Sequence, residues 1–163
     1  EDTIHISKSG SFLDHLNDAI VACPKDAPPE DCPGASSELP AHREIFRCSD
    51  YRAIVHGHPV FAVIMSMDCD IADCRHRGQC HRYCPHSRSV DGVPVVSGEV
   101  GGGAYGLCTT VPKMIRDQQG VIVYGHGVFT GGKTDFNAAM AQLVAIERRC
   151  RRAYFNQIEK RTG

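Results

Sequence analysis

Hydrophobic and polar positions along this chain predict strands and helices that alternate. Ile4 and Ile6 alternate with polar residues in the first seven positions, which is typical of a half-buried strand. The apolar run from Val60 to Met67 follows Pro59 and predicts a buried helix. The predicted strands are residues 1–7, 19–23, 51–56, 93–97 and 120–125. The predicted helices are residues 40–48, 60–67, 107–119 and 135 to about 160.

The last predicted helix carries an apolar stripe at helical spacing. Its members are Phe136, Ala139, Met140, Leu143, Ile146 and Cys150. A stripe of this kind faces a protein core and does not indicate a binding site. Thr134 precedes the helix and is predicted to cap it. The chain as a whole is therefore expected to be an α/β protein.

Three histidines stand at positions that suit metal binding. His56 and His58 flank Gly57 at the end of a predicted strand, so both imidazoles point to one face, roughly 6–7 Å apart. His126 lies between two glycines just after the strand at 120–125, where scaffolds often present catalytic groups. With Glu38 they make the ligand set of a catalytic zinc or similar divalent-metal site. The alternative is two hydrogen-bonded strand histidines and one surface turn histidine.

Four motifs in order give the chain a resemblance to a known family. They are S-S-E-L-P-A-H at 36–42, H-G-H-P at 56–59, V-I-V-Y-G-H-G-V-F at 121–129, and the long amphipathic helix. The chain resembles the class II aldolase/adducin family from about Ile6 to Tyr154. The resemblance implies a three-layer α/β/α sandwich with a mixed, largely antiparallel central sheet. It also implies one domain over residues 1–163, truncated at the N-terminus because a leading helix and a strand pair are expected before it.

The same resemblance implies roles for individual residues. The zinc ligands would be His56, His58 and His126, and Glu38 would be the acid/base at the metal. The residues that would hold a substrate phosphate are Ser9, Gly10, Ser36 and Ser37. From the residues alone, serines at a helix start either cap free N–H groups or help to bind an anion.

The implied activity is that of a divalent-metal-dependent aldolase-type lyase. It would cleave or form a carbon–carbon bond in a sugar phosphate or similar hydroxy-carbonyl substrate through a metal-stabilised enediolate. The ion would be Zn²⁺ or another divalent metal such as Mn²⁺, Fe²⁺ or Co²⁺, and the enzyme a homo-oligomer, commonly a tetramer. The alternatives are a sugar-phosphate epimerase or decarboxylase of the family, or a non-enzymatic adducin-like interaction module. Adducin heads lack the metal histidines, which this chain keeps.

A cysteine-rich insertion at about 69–86 departs from the family pattern. Its cysteines are Cys69, Cys74, Cys80 and Cys84, with histidines and arginines interleaved. Four thiols so close together indicate a second zinc or an iron–sulfur cluster. Disulfides, free thiols, a redox sensor or a basic loop that meets an anionic substrate or partner are the alternatives. Tyr83 in this segment is a candidate active-site tyrosine, and Glu99 a candidate second carboxylate.

Composition narrows the class of protein. A chain of 163 residues is long enough for one domain, and 42% hydrophobic residues suffice for a core. The net charge of −1 argues against binding to nucleic acid or to a membrane surface. No apolar run approaches the roughly 20 residues of a membrane helix, and no signal peptide is recognised. Nine cysteines without secretory features predict a reducing, cytoplasmic location.

Overall fold

The computed structural model describes residues 2–12, 14–116 and 118–162. Within these residues, the strands are, in chain order, β1 (Thr3–Ser7), β2 (Ile20–Pro24), β3 (Ala53–Gly57), β4 (Arg88–Val90), β5 (Val93–Val96), β6 (Gly120–Val123) and β7 (Gly127–Gly132). The α-helices are α1 (Leu39–Cys48), α2 (Val60–Met67), α3 (Leu107–Ile115) and α4 (Phe136–Thr162). A short 3-10 helix covers Pro29–Asp31. Among these residues no helix is long and apolar enough to cross a membrane.

The central sheet has five strands in the order β3-β7-β6-β5-β4. Only the β5–β6 pair is parallel, while the β3–β7, β6–β7 and β4–β5 pairs are antiparallel. Strands β1 and β2 form a separate antiparallel pair. A mixed, largely antiparallel sheet flanked by helices is the fold class that the sequence analysis predicted.

Helices cover both faces of the central sheet. Helices α1 and α3 pack on one face, where Val121, Val123 and Phe129 are fully buried. Helices α2 and α4 pack on the other face, against Ile122 and Val128. Strand β6 is therefore buried on both sides, and this explains why its sequence is a continuous apolar run without alternation.

The sequence pattern does not predict strand β7, because Gly127, Gly131 and Gly132 are typical of a loop. The structure shows why glycines stand there. A Cβ at Gly131 would lie 2.4 Å from the ring of Tyr51, and one at Gly132 would lie 2.3 Å from the Asp135 carbonyl oxygen. The glycines thus let the strand lie directly against neighbouring groups. Strand β4 was also missed, since its three residues are too few to show a period.

Two helix boundaries differ from prediction. Thr134 does not cap the last helix; the Asp135 carboxylate does, because its Oδ1 accepts the N–H of Ala138 at 2.8 Å. Helix α3 ends at Ile115, short of the predicted residue 119, and Asp117 lies outside the described residues. The Tyr51 hydroxyl contacts the carbonyl oxygens of Ile115 and Gln118 at 3.1 and 2.8 Å.

Candidate metal centre

Three histidines from two neighbouring strands meet at one end of the central sheet. His56 lies on β3, His58 just follows it, and His126 occupies the turn between β6 and β7. Antiparallel pairing of β3 with β7 aligns Gly57 with Val128, so the end of β3 meets the start of β7. One ligand atom of each histidine lies within 4.8 Å of the others, and the Nε2 atoms of His56 and His58 are 3.2 Å apart.

The His56 ring is held in a fixed orientation. Its Nδ1 lies 3.1 Å from the carbonyl oxygen of Val128, and its plane stacks on Phe129 at 4.1 Å between ring centroids. A proton on Nδ1 satisfies this carbonyl and leaves the Nε2 lone pair directed at the other two histidines.

His56 and His126 are partly buried, and their surroundings favour the neutral form that a metal ligand requires. The pKa of His56 is lowered to about 3, first by burial and then by the neighbouring His126 and His58. Burial, followed by the nearby His58, also lowers the pKa of His126. The two rings can therefore offer lone pairs at neutral pH without first losing a proton.

Glycines on either side of His126 shape the turn. Gly125 has a φ of +61°, a backbone conformation that favours glycine, and its N–H donates to Ser66 Oγ on α2 at 2.8 Å. A Cβ at Gly127 would lie 2.4 Å from the Gly57 carbonyl oxygen and 2.6 Å from His58 Cδ2. The absence of a side chain at Gly127 is therefore what allows the two histidine-bearing segments to approach.

Glu38 brings a buried carboxylate to the same place. It is the residue that precedes α1, and its Oε1 lies 3.8 Å from His126 Nε2. Its Oε2 is buried and has no hydrogen-bond partner among the described residues. Burial raises the pKa of Glu38 above its ordinary value. Glu38 thus lies beside His126 but is not part of the converging ligand group, which consists of the three histidines. Three imidazoles with a carboxylate next to one of them are a donor set that fits a divalent cation.

Comparison with known proteins agrees with this geometry. The family model for the class II aldolase and adducin N-terminal domain matches residues 1–154. The chain belongs to the class II aldolase/adducin family. The resemblance drawn from the four sequence motifs is thereby confirmed.

A curated relative within the family is a dehydratase. The chain is 29% identical over 153 residues to the methylthioribulose-1-phosphate dehydratase of Gluconobacter oxydans (strain 621H), covering 88% of this chain and 72% of the relative. It is similar to the crystal structure of L-fuculose-1-phosphate aldolase from Thermus thermophilus, with a TM-score of 0.72, 23% identity, and coverage of 96% and 79%. YgbL of Escherichia coli, a putative aldolase/epimerase/decarboxylase, gives a TM-score of 0.67 at 15% identity and coverage of 91% and 71%. The two structures establish the fold.

The serines predicted to hold phosphate lie close to one another in this class II aldolase fold. The Ser9 N–H donates to the Gly34 carbonyl oxygen and the Ser36 N–H to that of Ser7, each at 3.0 Å. Gly10 has a φ of +75°, which makes the tight turn after β1 possible. Ser36 Oγ accepts the N–H of Glu38 at 3.2 Å, so this serine helps to hold the backbone of Glu38 in place. Phosphate binding by this region stays a prediction.

The cysteines of the insertion do not gather into one ligand group. No disulfide links any of the nine cysteines within the described residues. Within the described residues, only the three histidines form a group of three or more ligating atoms within 4.8 Å. The Sγ atoms of Cys80 and Cys84 instead lie 3.7 Å from the carbonyl oxygens of His76 and His86. A metal or cluster on Cys69, Cys74, Cys80 and Cys84 gains no support from this arrangement and stays a prediction.

Two weaker candidates occupy the surface near the insertion. Glu99 pairs with Arg82 at 3.5 Å, and both side chains are about half exposed. Tyr83 is 45% exposed and packs edge-on against His76 and Tyr105. The role of Tyr83 at the active site of a neighbouring subunit is untested.

Sequence reasoning gave no role to His42, which the structure places behind the metal site. His42 is on α1, one turn after Glu38, and its ring meets Phe129 edge-on at 5.7 Å. Burial lowers the pKa of His42 to about 4. His42 thus packs against Phe129, the ring on which His56 stacks. The motif S-S-E-L-P-A-H contains this histidine, but helical spacing by itself does not show which face it occupies.

Proposed function

We propose that this protein is a divalent-metal-dependent lyase that acts on a sugar phosphate or related hydroxy-carbonyl compound. The observation that carries the proposal is the convergence of His56, His58 and His126, with Glu38 Oε1 3.8 Å from His126 Nε2. Membership of the class II aldolase/adducin family supports the lyase assignment. Zinc is the expected ion, since three imidazoles with an open position suit catalytic zinc, and Mn²⁺, Fe²⁺ or Co²⁺ are alternatives.

Each residue of the site has a distinct task. The three imidazoles hold the ion, and Val128 and Phe129 keep the His56 ring in its binding orientation. A bound divalent ion supplies Lewis acidity, which stabilises negative charge as it develops on substrate oxygens. Glu38 moves a proton at the substrate, and its raised pKa brings the carboxyl closer to the pH at which proton transfer is efficient.

The phosphate would be held at the far end of the small sheet. Strand β1 ends at the Ser9–Gly10 turn, which is hydrogen-bonded to the segment that leads into α1. Ser37 is exposed there, ahead of the helix start. Backbone N–H groups at a helix start attract anions, and hydroxyl groups add further donors. This arrangement would orient a phosphorylated substrate with its reactive carbons toward the histidines.

Two reactions are candidates for the chemical step. Aldol cleavage is favoured by Glu38, which follows the paired serines as the family's sugar-phosphate aldolases require. Dehydration is favoured by the 29% identity to a methylthioribulose-1-phosphate dehydratase. Both reactions need negative charge stabilised next to a substrate carbonyl, so one metal site serves either. The products distinguish them: cleavage yields two carbonyl fragments, while dehydration yields one product that has lost water.

The first experiment measures metal content and turnover together. Zinc, manganese, iron and cobalt are quantified per chain in the wild type, in His56→Ala/His58→Ala, and in His15→Ala as an exposed-histidine control. We expect about one ion per chain in the wild type and in the control, and none in the double variant. Products from a panel of ketose phosphates are then identified by mass spectrometry. If the wild-type protein bound no metal on reconstitution, the lyase proposal would be wrong and an adducin-like module would be favoured.

The oligomeric state is part of the proposal. Helix α2 exposes Val60, Ile64 and Met67 with 62%, 39% and 47% of their surface accessible. Apolar side chains concentrated on one short helix are typical of a surface that packs against another subunit. We expect a homotetramer, as is common in the family, and light scattering on the eluting protein measures its mass directly. A monomeric mass at micromolar concentration would contradict it.

A further inference from the structure

Two thiols and a guanidinium are buried together beneath the small sheet. Cys23 on β2 is fully buried, Cys32 is 4% exposed, and Arg43 on α1 is 5% exposed. The apolar side chains packed around the thiols include Ile4, Ile6 and Leu39. Neither sulfur belongs to the group of atoms that fits a metal. The lyase chemistry therefore leaves this cluster unexplained.

Arg43 directs its charge at one of the two sulfurs. Its Nη2 donates to Cys32 Sγ at 3.3 Å and to the Pro24 carbonyl oxygen at 2.9 Å. Its Nε is buried and has no hydrogen-bond partner among the described residues. A guanidinium stays charged in proteins, and burying that charge is costly unless an anion lies nearby. The sulfur of Cys32 is the side-chain atom that this guanidinium contacts.

The second thiol lies in the same buried cluster as the first. Burial, followed by the neighbouring Cys32, raises the pKa of Cys23 to about 11. The two thiols are therefore unequal. The Cys32 sulfur has a guanidinium against it, whereas burial opposes ionisation of Cys23.

We propose that Cys23 and Cys32 form a reversible intrachain disulfide by exchange with a low-molecular-weight disulfide such as oxidised glutathione. When loop 24–34 opens far enough to admit glutathione, Cys32 loses its proton to water and attacks one glutathione sulfur, and the glutathione disulfide bond breaks. Cys23 then loses its proton and attacks Cys32 Sγ, releasing the second glutathione thiolate. Two protein thiols are oxidised, one glutathione disulfide is reduced, and the two released thiolates take up the two protons.

The bond would hold a loop that ends at the predicted phosphate-binding segment. The Cys32 carbonyl oxygen accepts the N–H of Ala35 at 3.1 Å. The Gly34 carbonyl oxygen, between them, accepts the Ser9 N–H at 3.0 Å. Linking Cys32 to β2 would therefore fix the loop 24–34 against the sheet and, through it, the Ser9 turn. The inference does not depend on the metal centre.

Native protein treated with oxidised glutathione provides the test. Peptides are mapped by mass spectrometry without reduction, after free thiols have been alkylated. We expect a Cys23–Cys32 linked peptide as the main protein disulfide, and a melting temperature raised by about 5 °C that dithiothreitol reverses. The same treatment in concentrated guanidinium chloride should give a mixture of pairings. Native protein in which Cys23 and Cys32 stay free while exposed cysteines carry glutathione would overturn the proposal.

Two single variants assign the thermal shift to this pair. Cys32→Ala should abolish both the linked peptide and the rise in melting temperature. Cys150→Ala removes another fully buried free thiol, on α4, and should leave both unchanged. A rise that persists in Cys32→Ala would show that another pair is responsible and would refute the assignment. If Cys32→Ala does not fold, the peptide map of the wild type still decides the question.

Discussion

The Nδ1 atom of His56 lies 3.1 Å from the main-chain carbonyl oxygen of Val128, on the adjacent strand. The pairing of β3 with β7 brings them together, since Gly57 is opposite Val128 and His56 is opposite Phe129. Sheet register therefore sets the tautomer of a candidate metal ligand. A shift by one residue would turn the His56 side chain to the opposite face and remove it from the site.

Gly127→Ala should weaken metal binding. Its new Cβ would lie 2.6 Å from His58 Cδ2 and 3.1 Å from His56 Cε1, so both rings must move. We expect metal affinity to fall at least about tenfold, the size of effect seen when the support of a ligand is lost. Competition with a chelator measures it. Gly102→Ala is the matched control, because nothing lies within 4 Å of a Cβ at that position. Equal affinities in the two variants would contradict the steric argument.

Glu38→Gln should separate metal binding from turnover. The amide keeps the shape of the side chain but cannot accept and return a proton, so we expect the turnover rate to fall roughly 10²–10⁴-fold. Metal content should stay near that of the wild type, because the three histidines remain. Glu44→Gln, an exposed substitution on the same helix, is the control. Wild-type turnover in Glu38→Gln would remove this residue from the proton-transfer role.

Glu147→Gln should destabilise the protein through the start of α2. The two Glu147 carboxylate oxygens accept the backbone N–H groups of Phe61 and Ala62, each at 2.9 Å. These N–H groups at a helix start have no partner within the helix, and an amide can accept only one of them. We expect the free energy of unfolding to fall by about 1–3 kcal/mol in urea titrations. The exposed Glu30→Gln should change it by less than about 0.5 kcal/mol. A similar, small effect in both variants would show that the cap contributes little.

Acidification should destabilise the metal-free protein between about pH 6.5 and pH 4. The pKa values of His56 and His42 are lowered to about 3 and 4, so the unfolded chain binds protons in this range that the folded chain does not. Each histidine then lowers the free energy of unfolding by about 1.4 kcal/mol per pH unit of acidification. Glu38, whose pKa is raised, acts in the opposite direction.

The His42→Met variant tests this dependence without touching a ligand. It removes one buried imidazole, so urea titrations at pH 6.5, 5.5 and 4.5 should show a slope that is smaller by about 1.4 kcal/mol per pH unit. An unchanged slope would mean that His42 does not take part in the acid response.

The amino-acid sequence by itself determined the order and type of most elements and pointed to the residues of the candidate metal site. Apolar periodicity located helices α2 and α4, and the continuous apolar run at β6 followed from burial on both faces. The His-x-His spacing placed two imidazoles on one side of a strand. These features are local, because a period of 2.0 or 3.6 residues depends only on neighbours along the chain.

The tertiary structure decided what depends on which segments meet. Strand β7 forms because its glycines let β3, Tyr51 and α4 approach closely, an advantage that residue preferences along the strand do not reveal. Glu38 reaches His126, and Glu147 reaches the start of α2, across long stretches of sequence. Arg43 on α1 contacts Cys32, and the spacing of residues along α1 does not show which segment packs on that face of the helix. Such contacts depend on strand pairing and helix packing, because a local pattern shows which face of an element is buried but not what covers it.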